Sequence, residues 1–180
     1  LIKYLDNSNV LITGAAGSIG SELVLQVIKT NAKKIICLDI NETELFRLKN
    51  NLLFDKRVNF VLCDINDSEN LKKILIKNKI NQIFHAAAFK HVEMLENNLA
   101  AAIQNNIVGT LSLIKSLNNN VKNLIFFSTD KAAKPINILG ITKRFSELMC
   151  LYFAKKIATN FTIVRFGNVF GSRGSAIEIF

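Results

Sequence analysis

Thr13-Gly14-Ala15-Ala16-Gly17-Ser18-Ile19-Gly20 decides the fold, because it follows the apolar run Val10–Thr13 directly and precedes a segment of helical periodicity. Its three glycines permit a tight turn, bring a ligand close to the backbone and let the helix pack closely on the strand. A phosphate group binds readily at such a helix N-terminus. The pattern is typical of a dinucleotide-binding loop, although ordinary turns also collect glycine.

Short apolar runs alternate with longer amphipathic runs along the whole chain. Strands are predicted over Val10–Thr13, Lys34–Leu38, Val58–Cys63, Gln82–His85, Asn123–Phe127 and Phe161–Arg165. Helices are predicted over Ser18–Thr30, Glu42–Phe54, Ser68–Asn78, Glu93–Leu117 and Ile138–Ala158. This alternation is typical of βαβ units, and strands that are apolar at nearly every position indicate helices on both faces of the sheet. We therefore predict an α/β fold with a doubly wound parallel sheet in a single Rossmann-like domain, residues 1–180.

The bulk composition fits such a domain. The chain has 180 residues, of which 49% are hydrophobic, and this suffices for one sizeable core. No uninterrupted apolar stretch approaches the roughly 20 residues that cross a bilayer, so we expect a soluble segment. Because the chain begins at Leu1 and ends at Phe180 without a stop signal, we expect a fragment of a longer protein, with a C-terminal substrate lobe largely absent.

Charge and cysteine content limit the partners. The net charge is +9, but the lysines are dispersed and no basic patch is interleaved with aromatic residues, which argues against nucleic acid. The excess of positive charge suits an anionic substrate or an acidic membrane surface. Cys37, Cys63 and Cys150 are scattered in apolar runs, which indicates buried thiols in a reducing compartment and no metal site.

An acidic residue, Asp39, follows the second predicted strand about 20 residues after the glycine loop. It is placed to accept hydrogen bonds from the ribose hydroxyls and to repel the extra phosphate of NADP, so NAD is the expected cofactor; a helix cap is the alternative role. Asp64 is placed to bind the adenine amine, or to cap its strand end. Small residues after the fourth strand leave room for the nicotinamide. The cofactor contacts predicted from these positions are Gly14, Ala16, Gly17, Ser18, Ile19, Gly20, Asp39, Asp64, Ile65, Ala86, Ala87 and Ala88.

A second polar cluster, Ser128-Thr129-Asp130-Lys131, follows the apolar run Leu124–Phe127, and Lys143 comes shortly afterwards on a predicted helix. A buried strand that ends in a hydroxyl, a carboxylate and an amine presents groups that handle protons at the carboxyl edge of the sheet, where open α/β folds bind ligands. The same residue types also cap helices. We interpret the cluster as a reaction centre because the dinucleotide loop lies on the same sheet edge.

These segments resemble those of the nucleotide-sugar 4,6-dehydratases, which belong to the extended short-chain dehydrogenase/reductases. The similarity is greatest to the polysaccharide-biosynthesis (CapD-like) branch that acts on UDP-N-acetylglucosamine. The segments that carry the resemblance are Thr13–Gly20, Asp39, Phe84–Val92, Asn105–Thr110, Ser128–Lys131, Pro135–Asn137, Gly140–Arg144 and Val164–Ser172. Related dehydratases acting on dTDP-glucose or GDP-mannose carry Asp-Glu where this chain has Asp130-Lys131, so the lysine points to UDP-amino sugars.

The resemblance implies a redox-neutral reaction. Hydride leaves C4 of the sugar for NAD, water is lost across C5–C6, and hydride returns at C6. By position, Lys131 is the expected base at C5, Asp130 the acid for the C6 hydroxyl, and Thr129 a hydrogen-bond partner of the C4 oxygen. A lysine acts as a base near pH 7 only if burial or a neighbouring cation lowers its pKa, and Lys143 is expected to supply that positive field.

Further roles follow from the same resemblance. Asn106 matches a structural asparagine beside the cofactor, which Lys143 also contacts. Lys90 and His91 match residues of the sugar pocket. The residues expected near the nucleotide diphosphate are Arg165, Asn168 and Arg173. The family also implies a homo-oligomer, a cytoplasmic location in a bacterium and, in its larger members, a membrane anchor outside this chain.

One position departs from the superfamily pattern, because Leu139 stands where a tyrosine is usual, one helical turn before Lys143. Leucine cannot take the C4 hydroxyl proton as a phenol does. The large CapD-like members commonly have methionine there and resemble configuration-retaining enzymes, so an active dehydratase is the favoured interpretation. A non-catalytic NAD-binding module and a nucleotide-sugar 4-epimerase are the alternatives.

Overall fold

The computed structural model describes residues 2–52, 55–167 and 169. Within them, six parallel strands form one sheet in the order β3-β2-β1-β4-β5-β6. The strands are β1 Asn9–Thr13, β2 Lys34–Asp39, β3 Val58–Leu62, β4 Gln82–His85, β5 Asn123–Thr129 and β6 Asn160–Phe166. The doubly wound parallel sheet predicted from the sequence is therefore confirmed.

Helices cover both faces of this sheet, and in the described part they are α1 Ser18–Ile28, α2 Glu42–Asn51, α3 Ser68–Lys77, α4 Val92–Glu96, α5 Leu99–Ala102, α6 Gly109–Ser116 and α7 Ile138–Ala154. A π-helix, Ile103–Val108, joins α5 to α6, and short 3₁₀ helices cover Ile2–Leu5 and Asp130–Ala132. No helix among the described residues is both long and apolar enough to cross a membrane.

Two hydrophobic cores form because successive strand residues point to opposite faces. In β1, Leu11 packs into the core under α3, α6 and α7, whereas Val10 and Ile12 pack into the core under α1 and α2. Burial on both faces explains why β1 and β2 are apolar at nearly every position. The predicted buried thiols are also observed, and burial raises the pKa of Cys37 and of Cys150 to about 12.

The single helix predicted over Glu93–Leu117 is wrong. The structure divides this segment into α4, α5, the π-helix and α6, with a break at Asn97 and Asn98. Asn98, the residue before α5, has φ −135° and ψ 53°, outside the helical region. The side chains of Asn97 and Asn98 donate to the carbonyl oxygens of Glu93 and Met94 in α4, because asparagine competes with the helical hydrogen bonds. The helix predicted over Ile138–Ala158 ends earlier, at Ala154.

The topology leaves a crevice at the carboxyl ends of the central strands. The chain runs outward from β1 through β2 to β3, and then crosses back to β4 on the other side of β1. The connections after β1 and β4 therefore diverge, and in open α/β sheets a ligand binds at this switch point. The glycine loop follows β1 at that point.

Candidate active site

The glycine loop has a geometry that side chains would prevent. Gly14 has a φ of +65°, and a Cβ there would lie 2.6 Å from the backbone nitrogen of Ala87. Ala16 N donates to Asp39 Oδ2 at 2.9 Å, and Asn41 N donates to the other carboxylate oxygen at 2.9 Å. Asp39 therefore holds the glycine loop against the end of β2, in addition to lining the crevice.

Two cavities extend along the carboxyl edge of the sheet and share Gly14, Gly17, Ala86 and Ala88. The smaller, of about 290 Å³, is lined by the predicted cofactor residues Gly14, Ala16, Gly17, Asp39, Asp64, Ile65, Ala86, Ala87 and Ala88. The larger, of about 1070 Å³, is lined by the predicted residues Gly14, Gly17, Ser18, Ile19, Gly20, Ala86, Ala88, Lys90, His91, Thr129, Lys131 and Lys143. The fold thus brings the predicted cofactor loop and the predicted reaction centre into one cleft.

The cleft suits an extended anionic dinucleotide. The N-terminus of α1 has no side-chain cap at Gly17, and it borders both cavities, so its positive end can bind phosphate. Lysines contribute to the larger cavity, and its described lining contains neither Asp nor Glu. The residues present therefore fit NAD, with Asp39 and Asp64 at one end and the alanines in the middle.

Thr129, Asp130 and Lys131 lie together where β5 ends. Thr129 Oγ1 donates to Asp130 Oδ1 at 3.0 Å, and Lys131 Nζ lies 3.2 Å from the same oxygen. The hydrogen bond from Thr129 and then that from Lys131 lower the pKa of Asp130, so the free protein holds this carboxyl as a carboxylate. Thr129 also caps the 3₁₀ helix by accepting a hydrogen bond from Lys131 N. The helix-cap role considered from the sequence thus coexists with a cleft position for Thr129 and Lys131, whereas Asp130 beside them lines neither cavity.

Lys143 lines the same cavity as Thr129 and Lys131 and is buried, with 5% of its surface exposed. Its Nζ lies 4.1 Å from the centre of the Phe126 ring. Burial lowers the pKa of Lys143 to about 8, and the nearby Cys150 and Glu147 oppose that shift. A large part of the Lys143 side chains is therefore neutral slightly above neutral pH.

Leu139 occupies the tyrosine position and is buried with Leu95 and Ala102. It lines the larger cavity one helical turn before Lys143. The wall of the cavity is therefore apolar where a phenol hydroxyl would otherwise stand.

Asn106 lies behind the cleft. Its Oδ1 accepts from Phe89 N at 2.8 Å, and its Nδ2 donates to Phe89 O at 3.1 Å and to Thr142 Oγ1 at 3.2 Å. The amide is thus committed to the protein, and Asn106 fixes the backbone before Lys90 and His91. Asn106 lines neither cavity, so these contacts give it a structural role, and its expected contact with the cofactor stays a prediction.

A buried carboxylate, Glu147, was missed by the sequence analysis. Ser128 Oγ donates to Glu147 Oε1 at 2.7 Å, Arg144 Nη1 lies 3.0 Å from Oε2, and Arg165 donates through Nε at 2.8 Å and Nη2 at 2.6 Å. Burial alone would raise the pKa of Glu147, but the hydrogen bonds from Arg165, Ser128 and Arg144 outweigh it and lower that pKa to about 2. The Arg165 guanidinium binds Glu147 through Nε and Nη2, and its expected contact with the nucleotide diphosphate stays a prediction.

The remaining predictions fall outside this geometry. Asn168 and Arg173, predicted to contact the substrate, lie outside the described residues. No cluster of potential metal ligands occurs in the part of the chain that the structure describes.

Comparison with known proteins places these features in a family. The family model described as "Polysaccharide biosynthesis protein" matches residues 10–180. An uncharacterized membrane protein of Methanocaldococcus jannaschii is 39% identical, over 98% of this chain and 54% of its own length. The capsular polysaccharide biosynthesis protein CapD of Staphylococcus aureus is 39% identical over 99% of this chain and 31% of its own. A UDP-N-acetylglucosamine 4,6-dehydratase (inverting) of Campylobacter jejuni is 35% identical over 97% of this chain and 53% of its own.

Solved structures agree with this match. The structure of Pen from Bacillus thuringiensis superposes with a TM-score of 0.91 at 34% identity, over 97% of this chain and 55% of that one. A UDP-glucose 4-epimerase of Thermotoga maritima superposes with a TM-score of 0.81 at 27% identity, over 93% and 58%. The chain therefore spans about half the length of these structures.

Proposed function

Since the chain belongs to the polysaccharide biosynthesis (CapD-like) family of extended short-chain dehydrogenase/reductase nucleotide-sugar enzymes, we propose that it is the NAD-binding part of a UDP-amino-sugar 4,6-dehydratase. The substrate in this proposal is UDP-N-acetylglucosamine, and the product is a UDP-4-keto-6-deoxy sugar for a surface polysaccharide or glycoconjugate. The observation that carries the proposal is the single cleft that joins the glycine loop to Thr129, Lys131 and Lys143.

The proposed chemistry starts from the Asp130–Lys131 pair. NAD, when bound, supplies the acceptor and donor of hydride. Elimination of water needs a neutral amine that takes the C5 proton and a protonated carboxyl that gives a proton to the C6 oxygen. Transfer of one proton from Lys131 Nζ to Asp130 Oδ1, which lie 3.2 Å apart, creates both groups at once. After elimination Lys131 holds the C5 proton and Asp130 is again a carboxylate, so the protons balance.

Binding of a sugar over the exposed Asp130–Lys131 pair would favour that transfer. In water, transfer from an ammonium to a carboxylate is uphill by about 9 kcal/mol. When a bound sugar excludes water, the neutral pair becomes less unfavourable, because the charged pair loses hydration. The pKa of about 8 suits the Lys143 amine to accept the proton of the C4 hydroxyl in this proposal.

The decisive experiment follows the mass of the sugar nucleotide. Full-length protein incubated with NAD and UDP-N-acetylglucosamine is expected to yield a product lighter by one water. A Lys131→Ala variant is expected to lose this activity and to keep its NAD affinity. Unchanged substrate with demonstrably bound NAD would favour the non-catalytic module, and a product of unchanged mass but altered retention would favour a 4-epimerase.

Leu139 tests whether the absent tyrosine is a variant or a defect. If the Thr129–Lys131 cluster and Lys143 move the protons, a Leu139→Tyr variant gains little, because its phenol only duplicates a proton acceptor. A steep rise in activity would show that the leucine is a defect and would contradict the roles proposed above.

Assembly and location complete the proposal. Half-exposed apolar side chains form one stripe along α7, at Ile141, Phe145, Leu148 and Tyr152, and we expect a second copy to cover it in a homo-oligomer. A Phe145→Asp variant should then shift the protein to monomer in light scattering. Reduced, buried thiols suit a cytoplasmic domain, and a relative described as a membrane protein suits anchoring by a segment outside this chain.

A further inference from the structure

His85 lies at the end of β4, beside the cleft but fully enclosed by protein, with 1% of its surface exposed. Its Nδ1 lies 2.7 Å from Thr13 Oγ1, and its Nε2 lies 3.0 Å from Thr110 Oγ1. Thr13 is the residue before Gly14, whereas Thr110 stands at the start of α6. The imidazole therefore spans the distance between the cofactor loop and the helices behind the cleft.

The position of each proton in this contact can be deduced. Thr110 Oγ1 lies 2.7 Å from the carbonyl oxygen of Asn106, and a carbonyl oxygen only accepts. The one hydroxyl proton of Thr110 is therefore used there, so His85 Nε2 must donate to Thr110 Oγ1. Burial, and secondly the charge of Lys143, lower the pKa of His85 to about 3, so the ring is neutral and Nδ1 accepts the proton of Thr13 Oγ1.

A series of hydrogen bonds thus runs from Thr13 through His85 and Thr110 to Asn106, and each residue donates to the next. We name these four residues the His85 bridge. At one end, Ala87 N lies 3.4 Å from Thr13 Oγ1. At the other end, the Asn106 side chain holds the backbone of Phe89. The bridge connects the end of β1, directly before the glycine loop, to the segment 89–91 that faces the larger cavity.

We propose that His85 is a positioning residue, held as the neutral Nε2–H tautomer, that keeps the cofactor loop and the segment 89–91 in one fixed arrangement. This inference rests on the proposed function only for its catalytic consequence, because the bridge itself is a property of the free protein. A side chain that merely fills space would not need a defined tautomer or two hydroxyl partners.

Nitrogen-15 NMR of histidine-labelled protein tests the tautomer. The signals of His85 are identified by their absence from the spectrum of a His85→Gln variant, and those of His91 by their absence from that of a His91→Asn variant. The expected spectrum shows a proton on Nε2, an unprotonated Nδ1 and no titration between pH 5 and 8. A proton on Nδ1, or titration in that range, would overturn the assignment.

Hydrogen exchange tests the coupling without any ligand. Thr110→Val keeps the shape of the side chain and removes the acceptor of His85 Nε2–H. In Thr110→Val, faster exchange is expected at residues 14–17 and at residues 87–91, not only near position 110. Thr110→Ser keeps the hydroxyl, so its exchange should be as slow as that of the wild type. The matched control is Thr159→Val, which removes a buried hydrogen bond to Val121 O far from the cleft. Acceleration confined to α6, or an equal effect of the control, would refute the coupling.

Cofactor titration adds the functional consequence. Thr110→Val removes both hydrogen bonds of the Thr110 hydroxyl and is expected to weaken NAD binding at least threefold, with Thr159→Val unchanged. Unchanged affinity in Thr110→Val would refute the positioning role. If the wild-type protein bound no NAD, the proposed function would fail, while NMR and hydrogen exchange would still decide whether the His85 bridge exists.

Discussion

Replacement of Glu147 by glutamine is expected to destabilise the protein by about 2 kcal/mol at pH 7. The pKa of Glu147 falls from 4.5 to about 2 on folding, and a shift of that size corresponds to roughly 3 kcal/mol of favourable interaction with the charged form. Arg144 and Arg165 are about 40% exposed, so solvent screening reduces this figure. Glutamine keeps the volume, and its carbonyl oxygen can still accept from Ser128, but it removes the charge and turns an amide donor toward the Arg144 and Arg165 guanidinium groups.

The pH dependence has a definite sign. Because folding lowers the pKa of Glu147, its stabilisation is fully present above about pH 4.5 and is lost as the pH falls toward about 2. Urea unfolding followed by circular dichroism at pH 7, 5, 4 and 3 is expected to show a constant difference between wild type and Glu147→Gln down to pH 5. At pH 3 that difference should fall below half of its value at pH 7.

The control for Glu147 is Glu69→Gln, which removes an exposed pairing with Lys72 and should leave the urea midpoint nearly unchanged. Two results would refute the reasoning. One is a Glu147→Gln variant as stable as wild type at pH 7. The other is a stability difference that stays constant from pH 7 to pH 3, since that would mean that packing rather than charge causes the loss.

Three further changes test other parts of the fold. Gly20→Ala places a Cβ 1.9 Å from the backbone oxygen of Gly14, so the urea midpoint should drop and NAD binding should be lost. In Gly17→Ala the Cβ lies 3.3 Å from the same oxygen, so the losses of stability and of NAD binding should be smaller. Arg57→Gln removes a guanidinium that donates to three carbonyls at the end of α1, and a loss of about 2 kcal/mol in urea unfolding is expected. Asp39→Asn replaces one acceptor of the loop by an amide donor that faces a backbone N–H, so calorimetry should show NAD affinity at least tenfold weaker; unchanged affinity would contradict the role of this carboxylate.

The fold was predictable because its strongest signals are local. The glycine spacing and the fully apolar strands each reflect one nearby constraint, a tight turn or burial on both faces. The break at Asn97 and Asn98 was missed because apolar residues continue with helical spacing on both sides. Two consecutive asparagines after Glu96 were the signal that could have found it, since this side chain favours helix ends.

Glu147 could not be found in the same way. A charged residue on an amphipathic helix is usually a residue of the solvent face, and two of the three partners of Glu147, Ser128 and Arg165, come from other elements. Ser128 and Arg165 are neighbours only because β5 and β6 pair in that register, and α7 then packs its Glu147 over both. Such a cluster depends on the tertiary arrangement, which a local pattern does not encode.

The state of Lys143 argues for activity despite Leu139. Burial that lowers its pKa from 10.5 to about 8 means that the ammonium costs roughly 3 kcal/mol in folding stability at pH 7. An apolar side chain of similar length, such as methionine, would avoid that cost in a chain retained only for its fold. Retention of a buried amine at the wall of the cleft, next to Thr129 and Lys131, is therefore more consistent with a group that must exchange protons than with a degenerate module.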